Sequence, residues 1–364
     1  MAKQKKVEID NITAKDICEE LSKNYGKGYI LYGGNSVNNI EAYPTGIVSF
    51  DYASGVGGIP KGRIVELFGP ESSGKTTITF YAIREIQKQK GIAVYIDVEH
   101  AMEPSYMRSL GVDVSKLVIV KPEHGTQALQ IATDLIKRKV NLIVIDSLAA
   151  LVPEEEFSGD ITDMQVGAQA RLISKWLRMN VKACEINGTS VIFINQLRDK
   201  IGTFGYGNPT DTPGGRAIKF YASMRISIKH IGKIMSPSKD HIGNKVRIET
   251  VKNKVAVPSR RSEVSMYFGK GIDLEEDLIN FGIRWGVLRQ SGSWYSFITP
   301  EEEEVRLGNG ITAASDYIRD NDLFDIINDE IQKKIKEIEN VSIEQIRDKV
   351  KVEEAAKSKK KKKE

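Results

Sequence analysis

Residues 69–77 constrain the fold more than any other stretch of the chain. They match the pattern G-x-x-x-x-G-K-[ST], in which backbone N–H groups of a glycine-rich loop surround the phosphates of a nucleotide. Such a loop has to leave a buried strand and open a helix. Residues 63–68 are apolar and β-branched, and residues 76–89 carry apolar side chains near helical spacing. We therefore expect a site for a nucleoside triphosphate, built from Gly69, Pro70, Glu71, Ser72, Ser73, Gly74, Lys75, Thr76 and Thr77.

The composition is that of a globular chain with more than one structural unit. The 364 residues are 40% hydrophobic and 28% charged, which is enough for a sizeable core. The net charge of +4 is too small to require or exclude nucleic acid as a partner. Cys18 and Cys184 lie far apart, which argues against a disulfide framework and favours a reducing compartment. No apolar run is long enough to span a membrane, so we expect a cytoplasmic protein with no membrane partner.

The segment from residue 36 to residue 270 alternates strand-like and helix-like patterns, which predicts a mostly parallel α/β sheet. Four strand-like runs are apolar throughout, so both faces of the sheet should be covered. These runs span residues 93–97, 117–120, 142–146 and 191–196. After residue 213, alternating patterns predict antiparallel strands that extend the sheet.

Polar side chains stand at or just beyond the ends of these strands, where parallel sheets bind their ligands. Thr76 and Asp146 have the hydroxyl and carboxylate that hold Mg²⁺ in such sites. Hydrolysis also requires a group that orients or deprotonates water. Glu99 is the best candidate for this role, with Asp97 as the alternative. Gln196 ends another strand and could touch the γ-phosphate.

A loop after Gln196, residues 197–216, contains five glycines and two prolines with aromatic and cationic side chains between them. This mixture suits single-stranded nucleic acid, in which phosphates meet charge and bases meet rings. The alternative is a disordered crossover. Arg171 and Arg178 recur at helical spacing beside it, although charged helix faces are commonly just solvated.

Lys252 and Lys254 are two residues apart in a strand-like run and should project to one face. They could protect a sheet edge, or act as cations on the γ-phosphate of a neighbouring subunit. An amphipathic stretch at residues 9–25 predicts a helix that packs either on its own core or on a neighbour.

Five blocks of sequence together resemble the bacterial RecA recombinase family. The blocks are residues 69–77, 95–101, 193–198, 214–223 and 251–258, in matching order and spacing. The resemblance implies an α/β fold with a P-loop NTPase (RecA-like) core and a mostly parallel central sheet. It also implies an N-terminal oligomerisation helix and a small α+β C-terminal domain. The expected division is 1–35 for the docking helix, 36–270 for the core, 271–330 for the small domain and 331–364 for a charged, lysine-rich tail.

The resemblance also implies roles for single residues of the nucleotide site. Glu99 matches the water-activating glutamate and Gln196 the γ-phosphate sensor. Lys252 and Lys254 match lysines that reach across the subunit interface. Three further matches are Glu103 and Tyr106, around the adenine, and Phe220, at the interface.

Loops 157–166 and 197–213 match the DNA-binding loops of the family. The residues assigned to DNA are Val166, Arg171, Arg178, Arg198, Ile201, Tyr206 and Arg216. The second loop is one residue longer than usual, so either Phe204 or Tyr206 could supply its aromatic contact, and Tyr206 is our choice. The tail departs from the family in its lysines at 359–363, for which we hypothesise added non-specific DNA affinity.

The implied function is DNA-dependent ATP hydrolysis that drives filament formation on single-stranded DNA, homologous pairing and strand exchange in DNA repair. ATP and Mg²⁺ are the implied cofactors. Single- and double-stranded DNA, further copies of the chain and a self-cleaving SOS repressor are the implied partners. The alternatives are a ring-forming helicase-like motor ATPase, which shares the P-loop and glutamate, and a small-molecule kinase, which would not explain the long loop. A pure binding module would not need Glu99.

Overall fold

The computed structural model describes residues 13–25, 30, 40–159, 167–199 and 210–338. The chain divides into two compact units, residues 1–41 and residues 42–364. The strands are β1 (Ala42–Tyr43), β2 (Ile59–Pro60), β3 (Ile64–Gly69), β4 (Ala93–Asp97), β5 (Val118–Val120), β6 (Leu142–Asp146), β7 (Ser190–Gln196), β8 (Arg198–Asp199), β9 (Thr210–Asp211), β10 (Met224–Met235), β11 (His241–Asn253), β12 (Arg261–Tyr267), β13 (Gly271–Ile272), β14 (Leu288–Ser291), β15 (Trp294–Ile298) and β16 (Glu304–Asn309). The helices are α1 (Ala14–Tyr25), α2 (Val48–Ser54), α3 (Lys75–Lys88), α4 (Pro104–Ser109), α5 (Gly125–Lys137), α6 (Glu154–Phe157), α7 (Ala168–Asn187), α8 (Gly215–Tyr221), α9 (Leu274–Arg284) and α10 (Ile311–Asp320), and residues 324–338 are also helical.

The N-terminal unit contains the amphipathic helix α1. Thr13 and Asp16 form a reciprocal cap at its start, since Thr13 N donates to Asp16 Oδ2 at 2.9 Å and Asp16 N donates to Thr13 Oγ1 at 3.2 Å. None of its residues is buried, and the Ile17 and Tyr25 side chains are exposed. Two apolar side chains of this helix are therefore exposed, whereas Leu21 is half-buried.

A nine-stranded sheet forms the centre of the second unit. Its order is β13-β12-β11-β10-β3-β7-β6-β4-β5. The six strands from β10 to β5 pair in parallel, whereas β10 to β13 pair antiparallel. This confirms the predicted mostly parallel sheet with an antiparallel extension.

Buried apolar clusters cover both faces of this sheet. On one face Val65 and Leu67 of β3 pack with Ile78 and Ile83 of α3. On the other face Ile64 packs in a cluster with side chains of α5, α7 and α8. Successive side chains of a strand point to opposite faces, which explains why the parallel strands read as continuous apolar runs.

A smaller core combines α9, the three-stranded sheet β14-β15-β16, α10 and residues 324–338. Ile331 and Ile335 are buried there, so the packed structure continues beyond residue 330, where we expected the tail to begin. The physical reason is that both isoleucines extend the stripe that starts at Ile327, at a spacing of four residues. Residues 339–364, including the lysine run, lie outside the described residues, and the proposed domain boundaries stay predictions.

The expectation of a loop without secondary structure after Gln196 is wrong at both of its ends. β8 and β9 form a short antiparallel ladder, with Arg198 opposite Asp211. Arg216 belongs to the first turn of α8 and not to the loop. Residues 200–209 lie outside the described residues.

Candidate functional site

The phosphate loop connects the end of β3 to the start of α3, as predicted. Gly69 has to be glycine because a Cβ there would lie 2.0 Å from the carbonyl oxygen of Ile228. Gly74 precedes α3 with a φ of +91°, and a Cβ there would lie 2.3 Å from Cε of Met266. The first turn of a helix presents unpaired N–H groups and a positive dipole end, which together attract phosphate.

Lys75 lies across this loop. Its Nζ donates to the carbonyl oxygens of Gly69 at 3.1 Å and Pro70 at 2.6 Å. Burial lowers the pKa of Lys75, and the nearby carboxylates of Asp146 and Glu99 oppose this effect. The ammonium group is thus poised at the place where the loop would hold phosphate.

Asp146 ends β6 beside the first turn of α3. Its Oδ2 accepts hydrogen bonds from Thr76 Oγ1 at 2.8 Å and from Tyr95 OH at 2.6 Å. Burial raises the pKa of Asp146, whereas the two hydrogen bonds and Lys75 lower it. Within the described residues no three His, Cys, Asp or Glu side chains cluster as metal ligands. A hydroxyl and a carboxylate fit Mg²⁺, which usually takes one or two protein oxygens and completes its shell with phosphates and water.

Glu99 and Gln196 meet at the same edge of the sheet. Gln196 Nε2 donates to Glu99 Oε1 at 3.0 Å, and Ser147 Oγ donates to the same oxygen. The register explains the meeting, because β3 places Gly69 opposite Gln196 and β4 places Asp97 opposite Asp146. The predicted convergence of these strand ends is confirmed.

Asp97, the alternative to Glu99 as the group that activates water, bonds to backbone N–H groups instead. Its side chain is buried, and its two oxygens accept hydrogen bonds from the backbone N–H groups of Ala101 at 3.2 Å and Met102 at 3.3 Å. These bonds hold the turn that carries Glu99. The geometry therefore favours Glu99 over Asp97 as the group that faces water.

A cleft of about 370 Å³ opens beside the phosphate loop. Tyr106 lines it, and the Tyr106 hydroxyl lies 3.0 Å from Thr77 Oγ1. Glu103 instead precedes α4, where it accepts a hydrogen bond from Ser105, and it does not line the cleft. The opposite wall was missed by sequence reasoning, because no motif marks it and only the fold of the antiparallel extension brings it near. It consists of Asn244, Met266, Tyr267, Phe268 and Gly269.

Lys252 and Lys254 lie toward the opposite end of the sheet from the phosphate loop. Lys252 pairs with Arg225, which pairs with Glu66, three residues before Gly69. At about 3.3 Å per residue, Lys252 is therefore about 10 Å behind the loop along the strand direction. β12 pairs with β11 only as far as Glu249, so Lys252 lies on a stretch of β11 that pairs with β10 alone, and the alternative that these lysines protect a sheet edge stays a prediction.

The C-terminal end of α8 holds both lysines. Lys252 Nζ donates to the carbonyl oxygens of Lys219 at 2.6 Å and Phe220 at 2.8 Å, and Lys254 Nζ donates to that of Phe220 at 3.1 Å. The Phe220 side chain is 69% exposed, and Lys254 Nζ lies 5.4 Å from its ring centroid. The predicted place of Phe220 at a subunit interface stays a prediction.

Comparison with known proteins agrees with these features. The family model of the RecA N-terminal domain matches residues 13–273, and that of the RecA C-terminal domain matches residues 276–338. The chain belongs to the RecA family. Protein RecA of Thermotoga neapolitana is 46% identical over 322 residues, which cover 88% of this chain and 90% of the relative. Protein RecA of Kineococcus radiotolerans is 46% identical over 319 residues, which cover 87% of this chain and 89% of the relative. Protein RecA of Mycobacteroides abscessus is 44% identical over 320 residues, which cover 87% of this chain and 90% of the relative.

Membership of the RecA family gives the activity. The chain is a DNA-dependent ATPase and a strand-exchange recombinase of DNA repair, and it binds nucleotide. DNA binding and filament formation follow from the same membership. The ring-forming helicase-like alternative is not favoured. Within the described residues no helix is long and apolar enough to cross a membrane.

The structure describes only part of the predicted DNA-binding set. Arg171 and Arg178 are exposed on α7, and Arg216 is exposed in the first turn of α8. The two helices pack closely, since a Cβ on Gly215 would lie 3.2 Å from that of Ala170. Arg171 directly follows Ala170 and Arg216 directly follows Gly215, so both arginines lie beside this contact between the helices. Val166, Ile201, Phe204 and Tyr206 lie outside the described residues, as does the side chain of Arg198, so their roles stay predictions.

Proposed function

We propose that this RecA-family chain polymerises on single-stranded DNA, with each ATP and Mg²⁺ held between two neighbouring subunits. The observation that carries the proposal is the position of Lys252 and Lys254. Lys252 lies about 10 Å behind the phosphate loop of its own subunit along the strand direction, and Lys254 lies further behind it, beside the exposed Phe220. They can complete a nucleotide site only if a second copy presents its phosphate loop to them.

In the proposed site, Lys75 and the N–H groups of the loop bind the β- and γ-phosphates. Thr76 and Asp146 would hold Mg²⁺, which neutralises phosphate charge when it is bound. Tyr106 and the wall at residues 266–269 accommodate the base and ribose; Glu103, which does not line the cleft, would act at its margin.

Glu99 is proposed to orient the attacking water and accept its proton as the bond to the γ-phosphorus forms. This role of Glu99 is supported by its hydrogen bond to Gln196. Gln196 is the residue directly before the predicted DNA loop. If Gln196 turned toward a γ-phosphate, Glu99 Oε1 would keep only the hydrogen bond from Ser147 and could accept one from water in place of Gln196. Nucleotide state and the start of the DNA loop would thereby change together.

Three further assignments belong to this proposal. The exposed Ile17 and Tyr25 side chains of α1 support docking of this helix on a neighbouring subunit. Arg171, Arg178 and Arg216 supply positive charge to the DNA backbone, with Arg198, Val166, Ile201 and Tyr206 in the loops beside them. Double-stranded DNA is the second partner, and a self-cleaving repressor stays a prediction.

The test is ATP turnover with and without single-stranded DNA, for the wild-type chain and for Glu99→Gln. The wild type should be stimulated by DNA. Glu99→Gln should still bind a fluorescent nucleotide but lose turnover by about 100-fold, the size of a general-base contribution. Turnover of the wild type that ignores DNA would refute the proposal. Glu185→Gln, which weakens an exposed ion pair with Arg63 near the C-terminal end of α7, is the matched control for non-specific effects of substitution.

A further inference from the structure

Glu66 is a charged side chain in the interior of β3 for which the nucleotide site has no use. It is 0% exposed and is flanked by the buried Val65 and Leu67. Its carboxylate accepts hydrogen bonds from Asn195 Nδ2 at 2.8 Å and from Nε of Arg225. Replacing such a buried ion pair with apolar side chains is often neutral or stabilising, so its presence calls for a reason other than stability.

On one side, Glu66 acts through Asn195. Nδ2 of Asn195 also donates to the carbonyl oxygen of Pro213 at 3.1 Å, and Oδ1 accepts from the backbone N–H of Gln196 at 3.0 Å. The carboxylate of Glu66 accepts only, so it fixes which way the amide of Asn195 points. Asn195 then links the strand that carries Gln196 to the residue just before α8.

On the other side, Glu66 acts through Arg225. The Arg225 guanidinium lies 4.6 Å from the ring centroid of Phe68, and its side chain is only 14% exposed. Arg225 is the cross-strand partner of Lys252, which donates to the carbonyl oxygens at the end of α8. Burial, with the positive charges of Lys254 and Arg225, lowers the pKa of Lys252 to about 8, and Glu66 opposes this.

The contacts through Asn195 and those through Arg225 lead to opposite ends of the same helix, α8. α8 begins just after Pro213, which Asn195 holds, and ends at the carbonyl groups that bind Lys252. Alternation along β3 places Glu66 on the same face as Ile64, in whose cluster Ile218 of α8 is buried. One carboxylate therefore connects to both ends of α8, through Asn195 on one side and through Arg225 and its cross-strand partner Lys252 on the other.

We propose that Glu66 is a positioning residue that sets α8, and so couples the DNA loop to the lysines that face the next subunit. A shift of the loop at Pro213 would disturb Asn195 and, through Glu66, the position of Arg225 behind Lys252. This inference rests on the proposed function, because it needs the lysines to act on a neighbour.

The experiment compares the ratio of ATP turnover with and without single-stranded DNA in the full chain. Glu66→Gln keeps the shape of the side chain but removes the ion pair with Arg225. We expect this ratio to fall by about tenfold, within the usual range for coupling between sites, while affinity for a fluorescent nucleotide stays within about twofold of wild type. Asp277→Asn is the matched control, since Asp277 is another buried carboxylate but bonds to the backbone of α2. It should leave the ratio unchanged.

A second variant separates positioning from stability. Glu66→Leu with Arg225→Met replaces both charges by apolar groups and leaves no unpaired buried charge. Asn195 keeps its hydrogen bond to Pro213 but loses its acceptor at Glu66, so we expect a thermal midpoint at or slightly below that of wild type, while the DNA stimulation ratio stays low. A folded double variant with wild-type stimulation would overturn the proposal, as would wild-type stimulation in Glu66→Gln. Absence of stimulation in the wild type itself would instead refute the proposed function.

Discussion

Mixing two inactive variants tests whether the nucleotide site is shared between subunits. Glu99→Gln lacks the carboxylate that we propose activates water but keeps both lysines. The double variant Lys252→Ala, Lys254→Ala keeps the phosphate loop and Glu99 but lacks the cations. If the nucleotide site is shared, it forms at the contact between two neighbouring subunits. Such a site has all of its groups when a double-variant subunit supplies the phosphate loop and Glu99 and a Glu99→Gln subunit supplies the lysines.

The expected magnitude follows from the geometry. In the proposed filament a subunit offers its loop to one neighbour and its lysines to the other, which agrees with the pairing of Lys252 with Arg225, at the level of Glu66 rather than Gly69. In an equimolar random filament, half of the loops and half of the lysine pairs are intact. About one quarter of the contacts between neighbouring subunits then combine an intact loop with intact lysines. If every site is shared in this way, ATP turnover should reach about 25% of the wild-type value.

The assay is steady-state ATP turnover on single-stranded DNA across mixing ratios at constant total protein. The curve should be zero at both ends with a maximum at equal amounts. Wild type mixed with Glu99→Gln is the control and should fall in proportion to the wild-type fraction. If the mixture of the two variants stays as inactive as either parent while both still enter filaments, the lysines act within their own subunit and the reasoning is wrong.

Two further predictions concern single buried groups. Tyr95→Phe removes one of the two hydrogen bonds that Asp146 Oδ2 accepts. This loss should lower the free energy of unfolding by about 1.5–3 kcal/mol and raise the Mg²⁺ concentration needed for nucleotide binding. An unchanged Mg²⁺ titration would contradict this prediction. Burial raises the pKa of Asp277 to about 6, so the folded state holds this proton more tightly than the unfolded state and loses stability as pH rises from about 4 through about 6. Asp277→Asn lacks this loss, and its unfolding free energy relative to wild type should increase by about 3 kcal/mol between pH 4 and pH 7.5 in urea titrations. A constant difference across this range would show that Asp277 does not titrate there.

The sequence by itself determined the nucleotide half of the site. The phosphate loop is contiguous, and its strand and helix are specified by local patterns. Glu99, Asp146 and Gln196 are far apart in the chain, but each follows an apolar run that reads as a parallel strand. Parallel strands end at one edge of the sheet, so their meeting could be predicted without knowing the strand order.

Only the tertiary structure decided what the antiparallel extension contributes. The direction and register of β11 put Lys252 behind the phosphate loop, and the same extension brings residues 266–269 to the nucleotide cleft. The ion pair of Glu66 with Arg225 joins strands that are 159 positions apart, and no local pattern signals it. Pairing of distant strands depends on the free energy of the whole packed sheet, whereas a loop between a strand and a helix depends on its own few residues.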